Sequence, residues 1–481
     1  MSVAAGAVLL WKLKARLALS FAKHPSLRGH ARIARRVAPL MPFYEYDEAQ
    51  FYRSDDAPEE IAVKRKLGLD RLAREYRERF ARSVALTQEA EQHISDLQFT
   101  SRYRVPFQYR RVLGQQLSVG AFVASSDGVR VRDLDGNTLI DVSGSYGVNV
   151  LGYEFYKQCL AEGQREAEAL GPVLGFYHEA VAENVKRLCA LSRLDEVSFH
   201  MSGTEAVMQA VRLARYHTRR THLVRFCGAY HGWWGDVQPG PGNPQTARET
   251  YTLSDLSPAS LRVLRTRKDI ACVLINPLQA LHPNGNAPSD SALLDSGRSA
   301  HVDRDAYGAF LRELRKVCTE RGIVLIMDEI FVGFRLAPRG AQAYFGVQAD
   351  MVTYGKTLGG GLPVGVVCGR AALMKRYREE RPADICFARG TFNAHPYVMG
   401  TMNAFLRRIE TPEVKSLYEG LDERWNARAE LLNRRMADAG MPVRVANLSS
   451  IWTVMYTAPS RYNWMLQYYL RAQGLALSWV G

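Results

Sequence analysis

From about residue 176 to residue 380 the chain alternates short, largely apolar runs with longer stretches whose apolar residues recur every three or four positions. The runs Val197 to Met201, Leu223 to Phe226, Ala271 to Ile275, Ile323 to Met327 and Met351 to Tyr354 have the length of buried strands, and the stretches between them have the period of amphipathic helices. This rhythm predicts an α/β fold with a mostly parallel central sheet covered by helices on both faces. Upstream, Val129 to Asp141 alternates with period two around Asp135-Gly136-Asn137, the pattern of a β-hairpin. Beyond residue 400 the pattern predicts helices, a strand around Ile451 to Tyr456, another helix and a closing apolar run, Leu475 to Val480. The polar stretch His282 to His301 reads as a long loop.

The first 110 residues are helix-rich and basic, broken between Pro39 and Pro58 by prolines, aromatics and acids. Leu69, Leu72, Ala73, Tyr76, Phe80 and Val84 share one helical face. Leu10, Leu13, Leu17 and Phe21 also recur at helical spacing, with Lys12, Arg16 and Lys23 elsewhere around the same helix. That pattern suits a membrane surface or a partner groove, or a helix docked on its own protein. The expected division is a helical N-terminal extension (1–110), the first part of a small α/β domain with its lead-in (111–175), a large domain (176–400) and the C-terminal part of the small domain (401–481).

Composition narrows the functional classes. A chain of 481 residues with 47% apolar content can bury a large core. The seven cysteines form no CxxC pair, so neither a disulfide framework nor a zinc site is indicated and a cytoplasmic setting is expected. The net charge of +14 would suit nucleic acid, but roughly half or more of it lies in the first quarter of the chain, and no nucleic-acid partner is expected. The run Val3 to Trp11 is too short to span a bilayer, which takes about 20 apolar residues. Basic residues follow that run instead of preceding it, unlike a cleaved signal peptide.

Three local patterns carry chemistry. Met201-Ser202-Gly203-Thr204-Glu205-Ala206 joins a strand to a helix, so free backbone N–H groups and two hydroxyls face an anion such as phosphate; Ser and Thr there would also serve simply as helix caps. Asp328-Glu329 closes an apolar run, and a buried carboxylate must find a cation or donors. A pyridine nitrogen, a metal ion or a strand-end cap would each answer that need. Met351 to Pro363 delivers a single lysine, Lys356, into a glycine-rich loop. Desolvation and nearby cations would lower the pKa of such an amine and leave it nucleophilic, as a Schiff-base lysine requires.

Taken with Ser143-Gly144-Ser145-Tyr146-Gly147, Gly228 to Gly232, Gly333-Phe334-Arg335, Gly340 to Tyr344 and Gly390-Thr391-Phe392, these blocks resemble the class-III aminotransferases of pyridoxal 5'-phosphate (PLP) fold type I, especially the glutamate-1-semialdehyde 2,1-aminomutase branch. The resemblance covers roughly residues 110 to 480. It implies that Lys356 carries PLP as a Schiff base and shuttles the substrate proton, with Asp328 against the pyridine nitrogen. It further implies that Ser202, Gly203 and Thr204 hold the phosphate, that Tyr230 and Leu278 flank the ring, and that His231 neighbours it. Thr391 would reach the phosphate of the other subunit in a homodimer. Ser145, Tyr146, Trp233 and Gln279 are the expected substrate-side residues.

Two departures stand out. Most members carry a glutamate before the proline of the ring-facing block, where this chain reads Asn276-Pro277-Leu278-Gln279. The small domain of relatives also closes with a further strand and a long helix, so the C-terminal part reads as incomplete. The expected activity is amino transfer between an amine donor and an aldehyde or keto acceptor. Intramolecular transfer of the aminomutase kind is one alternative, and a non-catalytic scaffold of the same fold is another.

Overall fold

The computed structural model describes residues 2–23, 36–238, 248–281, 302–458 and 460–477; the polar stretch His282 to His301 and the end of the run Leu475 to Val480 lie outside them. Helix α1 (Ser2–Ala22) buries Ala15 and Ala22, and the Ala22 carbonyl accepts a hydrogen bond of 2.8 Å from the Ser254 N–H. Helix α2 (Glu59–Arg79) follows Pro58, with Glu59 and Glu60 in its first turn and Arg77 and Arg79 in its last, the charge order that complements the helix dipole. It buries Leu69, Leu72, Ala73 and Tyr76, the face expected from their spacing, and Phe80 is buried just past its end. Strands β1 (Val123–Asp127), β2 (Arg130–Asp133) and β3 (Thr138–Asp141) form an antiparallel meander. The β2–β3 turn is tied by the Asp133 carboxylate, which accepts from the N–H groups of Asp135 (3.0 Å) and Asn137 (2.8 Å).

After helix α3 (Tyr153–Ala167) comes the central sheet: β4 (Glu196–His200), β5 (His222–Phe226), β6 (Thr250–Leu253), β7 (Ile270–Ile275), β8 (Val324–Asp328), β9 (Met351–Gly355) and β10 (Gly365–Gly369). Its order is β4-β10-β9-β8-β7-β5-β6. The expected parallel pairing holds from β9 through β6, whereas β10 runs antiparallel to both β4 and β9. Every residue of β7, β8 and β9 is buried, which explains their unbroken apolar pattern. Strands β6 and β10 were not legible from pattern: β6 mixes threonine and tyrosine at a sheet edge, and β10 is a five-residue strand with glycine at both ends.

Helix α4 (Gly203–Thr218) covers one face of the sheet, packing Ala206, Ala210 and Leu213 in one cluster with Leu223, Leu274, Ile326 and Val367. Helices α5 (Pro258–Thr266) and α6 (Arg304–Arg321) cover the other, where Val263, Leu311 and Val317 cluster with Val224, Val273 and Leu325. Helix α7 (Pro396–Arg408) crosses α3 so closely that a Cβ on Gly163 would lie 2.3 Å from the Thr401 nitrogen, which only glycine permits.

Near the C-terminus, β11 (Val443–Leu448) and β12 (Ile451–Tyr456) make a two-stranded antiparallel sheet, followed by α8 (Leu466–Ala472) and β13 (Leu475–Ala476). Strand β13 pairs in parallel with β3, so the first residues of the closing apolar run join the meander's sheet. Trp464, Met465, Tyr468 and Ala472 share a hydrophobic cluster with Phe51, Leu69, Tyr76, Phe80 and Tyr109. The Tyr76 hydroxyl donates to the Tyr468 carbonyl (3.0 Å), and a guanidinium N–H of Arg471 to the Gly120 carbonyl (2.7 Å). The part of the N-terminal extension from Phe51 onward thus packs in one cluster with the segment Trp464 to Ala472, apart from α1. Among the described residues no helix is long and apolar enough to cross a membrane.

Candidate active site

The carboxyl ends of the parallel strands of an open α/β sheet are where ligands bind, and most of the residues singled out above collect there. Asp328 ends β8 and is 3% exposed. Its Oδ2 lies 2.8 Å from Nδ1 of His231, while Oδ1 accepts from the Thr353 hydroxyl (3.2 Å) and the Ile330 N–H (3.1 Å). His231 follows β5, is buried, and its Nε2 has no hydrogen-bond partner among the described residues. The ring expected merely to neighbour the site is therefore bonded directly to the Asp328 carboxylate. Glu329 points elsewhere: it accepts from the N–H groups of Ala341 (2.7 Å) and Gln342 (3.0 Å), and burial pushes its carboxyl up to about 7.

Lys356 follows β9 directly, with φ +45°, a left-handed conformation unusual for a residue bearing a Cβ. Such backbone strain clusters at functional sites. Burial, then the neighbouring Arg335 cation, hold its amine below the ordinary lysine value, and Asp328 opposes them. Its Nζ lies 6.0 Å from the Phe331 ring centroid, and the Arg335 guanidinium sits 4.5 Å from the same centroid. Arg335 donates to the carbonyls of Phe331 (2.7 Å) and Gly147, and burial lowers it to about 10. Next to the lysine, Thr357 shares a hydrogen bond with the Tyr156 hydroxyl of α3, which also accepts from the Val150 N–H (3.1 Å).

The third component is the start of α4. Ser202 caps the helix, its Oγ accepting from the Glu205 N–H (3.2 Å), and the Glu205 carboxylate returns to the Met201 N–H (3.0 Å). The Ser202 oxygen thus accepts as a helix cap, one of its two expected uses. A Cβ on Gly203 would stand 2.6 Å from Ile330 Cδ1, so glycine keeps the helix start against the segment that follows Asp328. Gly232, at φ +89°, lies against Thr204, since a Cβ there would be 2.4 Å from the threonine Oγ1. Tyr230 and Trp233 on this loop are exposed. Leu278 is buried; its N–H donates to Asn276 Oδ1 (3.1 Å), and the Asn276 amide reaches back to the Tyr230 carbonyl (3.3 Å).

The expected substrate-side residues separate. Gly144, Ser145, Tyr146 and Gly147 all have positive φ (57°, 49°, 55° and 81°), making a left-handed turn that packs Gly147 against Phe331 and Arg335. Asp141 holds this turn: its Oδ2 accepts from the Ser145 N–H (2.8 Å) and from the Tyr153 hydroxyl (2.8 Å). Gln279, by contrast, is buried, with its amide donating to the Cys227 carbonyl (3.0 Å) and its Oε1 without a partner among the described residues. Thr391 is exposed on the segment before α7. Sequence reasoning passed over Thr353, Tyr156, Phe331 and Asp141. Of these Asp141, which closes the hairpin pattern read from the sequence, and Thr353, which parallel register sets directly beside Asp328, carried a signal.

A lysine depressed by burial and a neighbouring cation, a buried carboxylate with an imidazole behind it and a helix start facing the same edge of a largely parallel sheet define a PLP-dependent transferase of fold type I. The family model for class-III aminotransferases matches residues 114–235 and 303–481, and the chain belongs to that family. It is a PLP-dependent enzyme of amino-group transfer. A curated relative, the glutamate-1-semialdehyde 2,1-aminomutase of Geotalea daltonii, is 32% identical over 362 residues, covering 71% of this chain and 78% of the relative. A solved transaminase with PLP bound is 27% identical, with TM-score 0.65 over 83% of this chain and 91% of that one. A glutamate-1-semialdehyde aminomutase structure from Pseudomonas aeruginosa shares the fold at 18% identity, with TM-score 0.67 over 85% and 91% of the two chains.

The residues present fit PLP. Lys356 supplies a depressed amine, Asp328 a buried carboxylate for a protonated pyridine nitrogen, and the start of α4 the N–H groups of a helix N-terminus for phosphate.

Proposed function

We propose that the chain transfers an amino group between an amine or amino-acid donor and a separate aldehyde or keto acceptor, with Lys356 and Asp328 as its catalytic residues. The observation that carries this reading is the convergence of the depressed Lys356 amine with the Asp328 carboxylate, which accepts three hydrogen bonds in a buried position. PLP, when bound, supplies the electron sink for charge that develops at the amine-bearing carbon of the substrate. Lys356 tethers the cofactor and moves the proton at that carbon. Asp328 holds the pyridine nitrogen, and His231 orients Asp328. Ser202, Gly203 and Thr204 bind the phosphate, Tyr230 and Leu278 bracket the ring, and the left-handed turn presents Ser145 and Tyr146 to substrate, with Trp233 at the entrance.

The protein works as a homodimer in which Thr391 reaches the other subunit's phosphate, and as a cytoplasmic enzyme whose residues 1–25 contact a membrane surface or a protein. Residues 111–175 and 401–481 act as a small domain beside the large one, 176–400. A second reading, intramolecular transfer within one substrate, is favoured by the aminomutase named among the relatives. Turnover with and without a separate acceptor decides between them. Product formed only when both donor and acceptor are supplied supports intermolecular transfer; isomerisation of a single amino aldehyde without a second substrate overturns it.

A further inference from the structure

Helix α1 has two apolar faces, and the fold uses one. Successive residues advance about 100° around an α-helix, which puts Ala15, Leu19 and Ala22 on a single side. Ala15 and Ala22 are buried, Ala22 belongs to the core cluster of Val263 and Leu264 from α5, and Leu19 packs against that cluster. Roughly opposite lie Leu10, Leu13, Leu17 and Phe21, exposed by 68%, 53%, 48% and 78%. The basic residues fall on the two flanks between these faces, Lys12 and Arg16 on one and Lys14 on the other, and the helix contains no acid. At one edge the Lys268 amine, just past α5, stands 5.8 Å from the Trp11 ring centroid.

We propose that the outward face of α1 docks the enzyme on an anionic lipid bilayer, with the helix parallel to the membrane plane. This deepens the contact proposed for residues 1–25 and rests on that reading. The charge pattern selects the occupant: an apolar protein groove needs no cations, whereas a leucine and phenylalanine ridge flanked by cations on both sides matches acyl chains below and anionic headgroups beside it. The anchor is already in place, because from Ala15 to Ala22 the opposite face is packed into the enzyme and the helix need not fold on binding. A ridge of four large apolar side chains open to water also needs a cover of some kind.

The test uses the full-length, PLP-loaded protein with sedimented vesicles of phosphatidylcholine alone or with added phosphatidylserine. Wild type is expected on the anionic vesicles, with binding weakened by salt, and to leave the neutral ones in large part. At about 1 kcal/mol per basic residue near such a surface, K12Q/K14Q/R16Q lowers partitioning by about 100-fold, and L10S/L13S/L17S/F21S abolishes it. PLP absorbance and the elution volume are recorded for every variant. Wild type that ignores anionic vesicles while keeping its PLP absorbance overturns the bilayer proposal and leaves the catalytic reading standing; loss of absorbance in wild type is a failure of that reading instead. If wild type ignores vesicles and the serine variant shifts the oligomeric state, a second copy of the chain covers the face and the proposal is wrong. Equal binding to neutral and anionic vesicles, unaffected by K12Q/K14Q/R16Q, also overturns it.

Discussion

Replacing Asp328 by asparagine removes one charge and leaves the shape of the site nearly intact. The asparagine oxygen can still accept from the Thr353 hydroxyl and the Ile330 N–H, which lie 3.2 and 3.1 Å from Oδ1. On the other side an amide N–H now faces Nδ1 of His231, 2.8 Å from the present Oδ2. That contact either loses its hydrogen bond or forces the other histidine tautomer, and no carboxylate is left for a protonated ring nitrogen. Removing one partner of a buried ionic contact costs about 3 to 5 kcal/mol. Since each 1.4 kcal/mol or so is tenfold in rate, the half-reaction with an amine donor should slow by about 10²-fold to several thousand-fold. The assay is rapid mixing of PLP-loaded D328N with donor, following the visible absorbance of the bound cofactor, with PLP affinity titrated separately. Thr353→Ala is the internal scale: it deletes one neutral donor and should cost about 1 kcal/mol, near fivefold. If D328N, saturated with PLP, reacts within tenfold of wild type, Asp328 does not perform the role assigned to it.

Three further outcomes follow from the same geometry. A Cβ added at Gly365 would stand 1.9 Å from the Ser202 carbonyl oxygen, a backbone atom that cannot swing away, so Gly365→Ala should lower the thermal midpoint markedly and weaken PLP retention, read by calorimetry and absorbance. Asp255 is buried beside Tyr307 and raised to about 7, so the native state holds its proton more tightly than the unfolded chain; stability from this group is intact below about pH 4 and is lost as pH rises to about 7, by about 4 kcal/mol. Asp255→Asn should therefore be more stable than wild type at about pH 8 and nearly equal to it at about pH 4 in denaturant titrations; a gain independent of pH would contradict this. Arg335→Met removes the cation that helps depress Lys356, so the midpoint for acylation of Lys356 in PLP-free protein, mapped by mass spectrometry against pH, should move upward. An unmoved midpoint would assign the depression to burial alone.

The central sheet was legible because parallel strands buried on both faces leave continuous apolar runs, and β7, β8 and β9 are buried at every position. Pattern could not reveal β10, whose glycines satisfy close approach to Ser202 and Met374 instead of an apolar period. The pair proposed as catalytic drew notice for a related reason: a lysine and a carboxylate at the ends of apolar strands are costly unless used. What surrounds them was not readable. Phe331 and Arg335 meet Gly147 across nearly two hundred residues, and the Tyr156 contact with Thr357 depends on where α3 crosses. Gln279 sits in a suggestive block, and its amide N–H serves the Cys227 carbonyl, a contact no local pattern announces. The N-terminal helices carried correct faces for α2, but their partner, the segment Trp464 to Ala472, lies at the far end of the chain and leaves no local trace.

The most direct test of the account is the visible absorbance of the purified protein with PLP, before and after addition of a panel of amine donors, beside Lys356→Ala. Wild type should show the shifted absorbance of lysine-bound PLP and lose it on adding a productive donor, while the variant shows neither the shift nor turnover. Folded wild-type protein that produces no such shift, or a Lys356→Ala variant that turns over like wild type, would contradict the assignment of Lys356 as the cofactor lysine of this enzyme.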